Sequence, residues 1–219
     1  SVSPFICSRI VYEVKRRVLT PYLTKHFWWM GKGKEEMCNW TIWCTQNVLL
    51  SAFFLPLPEN IRQKIFKKAC ASTDFFLKDY GDDGCCDEGA QYYRHAGLCL
   101  YQTLDILCLI TDNYFESLWD NEKIKNIALY ILNVHVDDKY YINFADCSPI
   151  AGRAGTREYL FGKACGLKNL AEFAALDYKR TPEKFQPEEN NLYYRLQEIF
   201  TRSDILSENT DEPIFHPPV

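Results

Sequence analysis

No run of about 18 uninterrupted apolar residues occurs in the chain, so no segment reads as a membrane span. Phosphate-cradling loops of the GxGxxG and P-loop kinds are missing, as is any Ser-His-Asp order that would suggest a nucleophile triad. No unit recurs at a fixed period, which argues against a solenoid. Strong charge is lacking too. A formal net charge of −4 argues against nucleic acid and gives no general attraction for an acidic polymer, so an acidic ligand would need a local basic or polar site. The ten cysteines lack paired CxxC spacing, so zinc is not expected. In a chain of 219 residues they are not needed as staples, and Cys99 and Cys108 sit in apolar helical runs as buried thiols do. Free thiols point to a reducing cytoplasm. The first residue is Ser1 and not Met, so the natural N-terminus is expected upstream, and export stays open.

What the chain does have is apolar residues (47%) and aromatics (15%), enough for one substantial core with rings to spare for a groove. The pattern is helix after helix. Ser3-Pro4 opens the first, with Ile10, Val11, Val14 and Val18 at helical spacing and Lys15, Arg16 and Arg17 on a solvated face. A Gly/Lys loop, 31–36, precedes a helix over 39–54, which Pro56 and Pro58 terminate. The next helix is expected over 59–80, with Ile61, Ile65, Phe66 and Ala69 as its stripe. After turn residues 81–84 come helices over 87–110 and 114–136. Residues 139–144 alternate weakly and read as extended, 145–156 read as loop, and two or three shorter helices follow. The polar, Pro-rich tail 207–219 reads as a linker. Residues 1–206 are thus expected to form one all-α domain of antiparallel helical hairpins, for which local pattern does not separate a bundle from a toroid.

Three stretches carry chemistry. In Cys38-Asn39-Trp40-Thr41-Ile42-Trp43, Asn39 stands where an N-cap would. The two tryptophans are core residues on one reading and a platform for pyranose rings on the other, with Asn39 at a helix start suited to a carboxylate. In Asp87-Glu88-Gly89-Ala90-Gln91-Tyr92-Tyr93-Arg94-His95, a helix would put Glu88, Tyr92 and His95 on one face, where a carboxylate and an imidazole order a phenol. Arg94 could hold an anionic substrate there; the plainer alternative is an acidic first turn with packed tyrosines. The third stretch, Tyr140 to Asp146 with Asn143, followed by Arg153, Arg157 and Tyr159, could line an acidic cleft or be simply solvated. His26 and His135 are isolated; His26, ahead of Phe27-Trp28-Trp29, could sit beside a cleft but reads more readily as a packed surface histidine.

Taken in order, these stretches resemble the helical domain of the heparinase II/III family of polysaccharide lyases. Asn39-Trp40 with Trp43 and the helix Asn47 to Ala52 is similar to that family's Asn-Trp motif; Asp82-Asp83-Gly84 through Asp87-Glu88-Gly89 to Tyr92-Tyr93 is similar to its Asp-Gly…Glu-Gly-x-x-Tyr motif. Tyr141 to Asp146 and Phe161-Gly162-Lys163 complete the resemblance, which covers roughly 37–178. It implies an incomplete α/α toroid, truncated before a β-sandwich domain of the same protein. It also implies β-elimination on an acidic, uronic-acid-containing oligo- or polysaccharide such as a glycosaminoglycan. Tyr92, with Tyr93 as alternate and His95 beside it, would carry the proton work; Asn39, Trp40, Trp43, Glu88, Arg94, Asn143 and Arg153 would bind substrate. No cofactor is implied within this chain, although the family's β-rich part sometimes carries a metal. The resemblance is imperfect where some related lyases have Asn-His in place of Asn39-Trp40, and this chain alone is expected to be inactive. Two other classes compete: a glycoside hydrolase using two carboxylates from Asp82, Asp83, Asp87 and Glu88, and a non-catalytic carbohydrate-binding domain.

Overall fold

The computed structural model describes residues 3–31, 36–181 and 191–210. The expected linker therefore lies outside the described residues from 211 onward. Among the described residues the architecture is mostly helical, with one two-stranded sheet. The chain divides into two compact units, Ser1–Tyr80 with Gln102–Phe115, and Gly81–Tyr101 with Glu116–Val219.

The first unit contains α1 (Pro4–Val14), α2 (Thr20–Thr24), α3 (Asn39–Phe54) and α4 (Glu59–Asp79). Proline at the first turn of α1 loses no helical hydrogen bond, because the first amides have no partner in any case. The apolar stripe expected through Val18 is broken. Val11 and Val14 are half-buried but Ile10 and Val18 are exposed. The cause is a wide π-helical turn, Lys15–Leu19, in which the Thr20 amide donates to the Lys15 carbonyl five residues back. One extra residue rotates everything after it by about 100°, so Leu19 and Tyr22 turn inward in place of Val18. They join Met30, Val48, Ala52, Leu57 and Ile65 in a common core. Pro56 and Pro58 separate α3 from α4, and the two pack as a hairpin. On α4, Ile65 and Ala69 are fully buried, as their spacing predicts. Lys68 Nζ donates to the carbonyls of Tyr22 (2.5 Å) and Lys25 (3.0 Å), satisfying oxygens that the end of α2 leaves open.

The second unit contains α5 (Ala90–Tyr93), α7 (Glu122–Asn133), β1 (His135–Asp137), β2 (Tyr140–Tyr141), α8 (Thr156–Ala164), α9 (Lys168–Arg180) and α10 (Leu192–Ser207). The helix α6 (Gly97–Ile110) begins in this unit and ends in the first. The single helix expected over 87–110 is thus two, separated by a turn at 94–96. The helix expected over 114–136 is a 3-10 segment, Glu116–Asp120, and then α7, which starts where Asn121 Oδ1 accepts the Lys123 amide at 3.0 Å. Its expected last residues form β1, which pairs antiparallel with β2. Tyr93, Leu98, Leu100, Ile124, Ile127, Phe161 and Phe173 are fully buried, and α8 and α9 pack as a hairpin.

Two turns depend on glycine. Gly84 (φ 76°) lies against the backbone of Asn126 on α7, whose side-chain amide donates to the Asp82 carbonyl at 2.8 Å. Gly89 (φ 86°) lets the turn before α5 meet the carbonyl of Phe144, and a Cβ there would stand 2.7 Å from Cys147 Cβ. Gly89→Ala therefore combines a left-handed backbone with a clash against backbone. It is expected to lower unfolding free energy by about 2–3 kcal/mol, read from the urea midpoint at unchanged slope.

Candidate functional site

In the first unit the Asn39 stretch opens α3. The residue at the N-cap position is Cys38, whose amide reaches Thr41 Oγ1 at 3.4 Å; Asn39 is the first helical residue and is buried. Trp40 and Trp43 lie one turn apart and face outward, 52% and 39% exposed. Trp28, itself 54% exposed, sits beside Trp40 with ring centroids 6.3 Å apart. Trp40 and Trp43 line a groove of about 540 Å³ together with Tyr22, Phe27 and Trp29. The Phe27 and Trp29 rings are parallel, with centroids 5.8 Å apart. Burial pushes the Cys44 thiol up to about 11, so this groove residue is an uncharged wall at neutral pH. The volume suits a small-molecule ligand, and the outward tryptophans leave in water apolar surface that a packed core would have covered.

In the second unit the structure separates residues that a continuous helix would have aligned. Glu88 lies in the turn before Gly89, ahead of α5, so helical spacing does not place it on the face of Tyr92. Tyr92 and His95 do stay together: the His95 amide donates to the Tyr92 carbonyl at 2.8 Å, and the ring centroids are 6.2 Å apart. Both are half-buried. Tyr93, the alternate candidate for proton transfer, is fully enclosed. Its hydroxyl donates to the Ala128 carbonyl at 3.2 Å, its ring lies 5.7 Å from Tyr130, and burial pushes its pKa well up. That makes Tyr93 a core residue and leaves Tyr92 as the accessible phenol. Asn143 is exposed in the loop after β2, next to Phe144, whose carbonyl meets Gly89. The second and third sequence stretches are thereby adjacent. Asp82 pairs with Lys123 (3.0 Å) and Asp83 accepts the Cys85 amide (3.0 Å), so both have roles in the turn they form.

The arginines are committed inward. Arg94 is buried and donates to the Arg153 carbonyl at 3.0 Å; Arg157, also buried, donates to the Arg94 carbonyl at 3.0 Å and lies 4.2 Å over the Tyr194 ring. Arg153 pairs with Asp138 in the β1–β2 turn and with Asp177 on α9 at 3.3 Å. In this structure Arg94 and Arg153 hold the 145–155 loop; neither stands as an open clamp for a substrate anion. The cavity among them, about 50 Å³, is too small for a sugar ring. Burial pushes the Asp177 carboxyl up, opposed by the Ala154 amide and by Arg153. His135 is packed edge-on against Tyr141 and Phe173, with Nε2 3.0 Å from the Asp138 carbonyl.

Neither family models nor curated proteins match the chain. Among the described residues there is no helix long and apolar enough to cross a membrane, and no group of three or more His, Cys, Asp or Glu placed to hold a metal ion. All ten cysteines are unbridged. Residue spacing gives no sign that Arg17 and Tyr22 line the groove or that the carboxylates Asp177, Glu158 and Glu198 are buried. The Phe27-Trp28-Trp29 run was the visible signal for the groove; no local signal marks a buried carboxylate whose partner is distant in sequence.

Arg153→Met would leave Asp177 buried without its cation and is expected to cost about 3 kcal/mol, with Arg153→Met/Asp177→Asn losing less than the two single changes added together. In Arg153→Met the folded-state pKa of Asp177 rises further above its unfolded value. The folded state then keeps a proton that the unfolded state releases, so stability falls as pH rises from about 4 toward neutral, most visibly against wild type in urea melts across that range.

Proposed function

We propose that the chain is the helical, substrate-binding domain of a polysaccharide lyase that cleaves uronic-acid-containing glycans by β-elimination, built as an incomplete α/α toroid and completed by a β-rich domain of the same protein. The observation that carries the reading is the exposed tryptophan surface at the start of α3, with Trp40 and Trp43 over an aromatic groove and Trp28 alongside. Flat indole faces exposed in a group suit the C–H faces of pyranose rings, and core packing gives no reason to leave them in water. The ordered motifs of the resemblance add the reaction class.

Elimination has three requirements: the C6 carboxylate must be neutralised, the C5 proton removed, and the leaving glycosidic oxygen protonated. Tyr92 is assigned the proton transfers, since it is accessible where Tyr93 is enclosed, and His95 beside it is the group that orients the phenol. In the first unit, Trp40 and Trp43 are assigned to a pyranose ring, while Asn39 is buried as the first residue of α3. Glu88 and Asn143 remain candidate binding residues at the edges of the Tyr92 segment.

The test is ultraviolet absorbance of the unsaturated uronate product, using the protein with both domains on a panel of uronic-acid oligosaccharides. Tyr92→Phe is expected to lower turnover by about 10²–10⁴-fold with folding intact. New reducing ends without absorbance would replace elimination by hydrolysis. For binding, Trp40→Ala is expected to weaken oligosaccharide affinity about tenfold, seen in the tryptophan fluorescence titration of this chain; an unchanged affinity would remove the platform.

A further inference from the structure

Arg17 is the one charged side chain among the described residues that line the aromatic groove, and no carboxylate lines it. Its position comes from the π-helical turn at Lys15–Leu19, which brings Arg17 and Val18 to the groove while Leu19 enters the core. Wide turns of this kind cost regular hydrogen bonding and are common at functional sites. Arg17 is held lightly: Nε donates to Glu13 Oε2 at 2.8 Å, and the side chain is 69% exposed. Glu13 is shared with Arg9 at 2.6 Å and Arg16 at 2.8 Å, so one carboxylate faces three guanidinium groups, with Lys15 adjacent in sequence. An exposed pair of this kind is readily exchanged for another anion, and the local excess of positive charge favours doing so.

We infer that Arg17 is the specificity-determining residue of the groove. It selects saccharides bearing a carboxylate or a sulfate: the anion sits on the guanidinium while a pyranose face lies on Trp40 and Trp43. The inference rests on the saccharide reading of the same groove. A groove otherwise lined by uncharged, mostly apolar side chains distinguishes poorly between acidic and neutral sugars of similar shape, and a single cation at its wall supplies the discrimination that stacking lacks.

The experiment is titration of this chain with four probes at low salt, followed by tryptophan fluorescence and calorimetry. The probes are an unsulfated uronic-acid hexasaccharide, a sulfated neutral oligosaccharide, cellohexaose and laurate. Arg17→Met is expected to weaken the acidic probes about tenfold and to leave cellohexaose unchanged, which also shows the groove intact. Glu13→Gln, which releases Arg17, is expected to tighten the acidic probes about threefold. A response confined to the uronate probe or to the sulfated probe names the anion, and either supports the assignment. If Arg17→Met leaves acidic binding unchanged, or weakens acidic and neutral probes equally, the inference is overturned while Trp40-dependent saccharide binding survives. Laurate binding with no saccharide binding would overturn both.

Discussion

The irregular backbone of the second unit depends on arginines that donate to main-chain oxygens. A turn at 94–96 interrupts what would be a continuous helix, and a buried carbonyl without a partner there would cost a few kcal/mol. The Arg157 guanidinium takes the Arg94 carbonyl, the Arg94 guanidinium takes the Arg153 carbonyl, and Arg153 in turn ties the β1–β2 turn to α9. Arg157 and Arg94 thus supply main-chain carbonyls with the donors that regular secondary structure would have given. The consequence for function is positional. The same turn sets Tyr92 and His95 at the edge of α5 while Tyr93 goes into the core.

Two neighbouring tyrosines therefore have opposite fates for a simple geometric reason. Consecutive residues on a helix point about 100° apart, so when one lies on Ala128 and Tyr130 its neighbour cannot. The inward one loses both solvent and the ability to ionise, as burial drives its pKa up. A similar division separates Val18 from Leu19, where the wide turn decides which residue fills the core and which one, with Arg17, faces the groove.

The first unit is built otherwise: α3 and α4 pack as a hairpin across two prolines, and Trp40 and Trp43 leave apolar surface exposed at the groove. That leftover surface is aromatic, and it is what the saccharide reading rests upon. The cysteines fit the same pattern of local burial. Cys99 and Cys108 pack as small apolar residues, and burial pushes Cys44, Cys70 and Cys165 away from thiolate chemistry.

Periodicity and breakers were enough to determine the helical class, the span of α3, nearly all of α4, the proline hinge between them and the inward side of Ile65 and Ala69. These are local properties: 3.6-residue spacing, a missing amide at proline, and an apolar stripe that needs cover. Proximity of the Asp87-Glu88-Gly89 turn to the Tyr140–Asp146 stretch was not local. It is possible because Gly89 has no Cβ, which would lie 2.4 Å from the Phe144 carbonyl oxygen. The break at 94–96, the inward commitment of Arg94 and Arg153, and the enclosure of Tyr93 likewise belong to tertiary structure. Each depends on a partner tens of residues away, and a sequence window carries no information about which distant carbonyl or carboxylate will be waiting there.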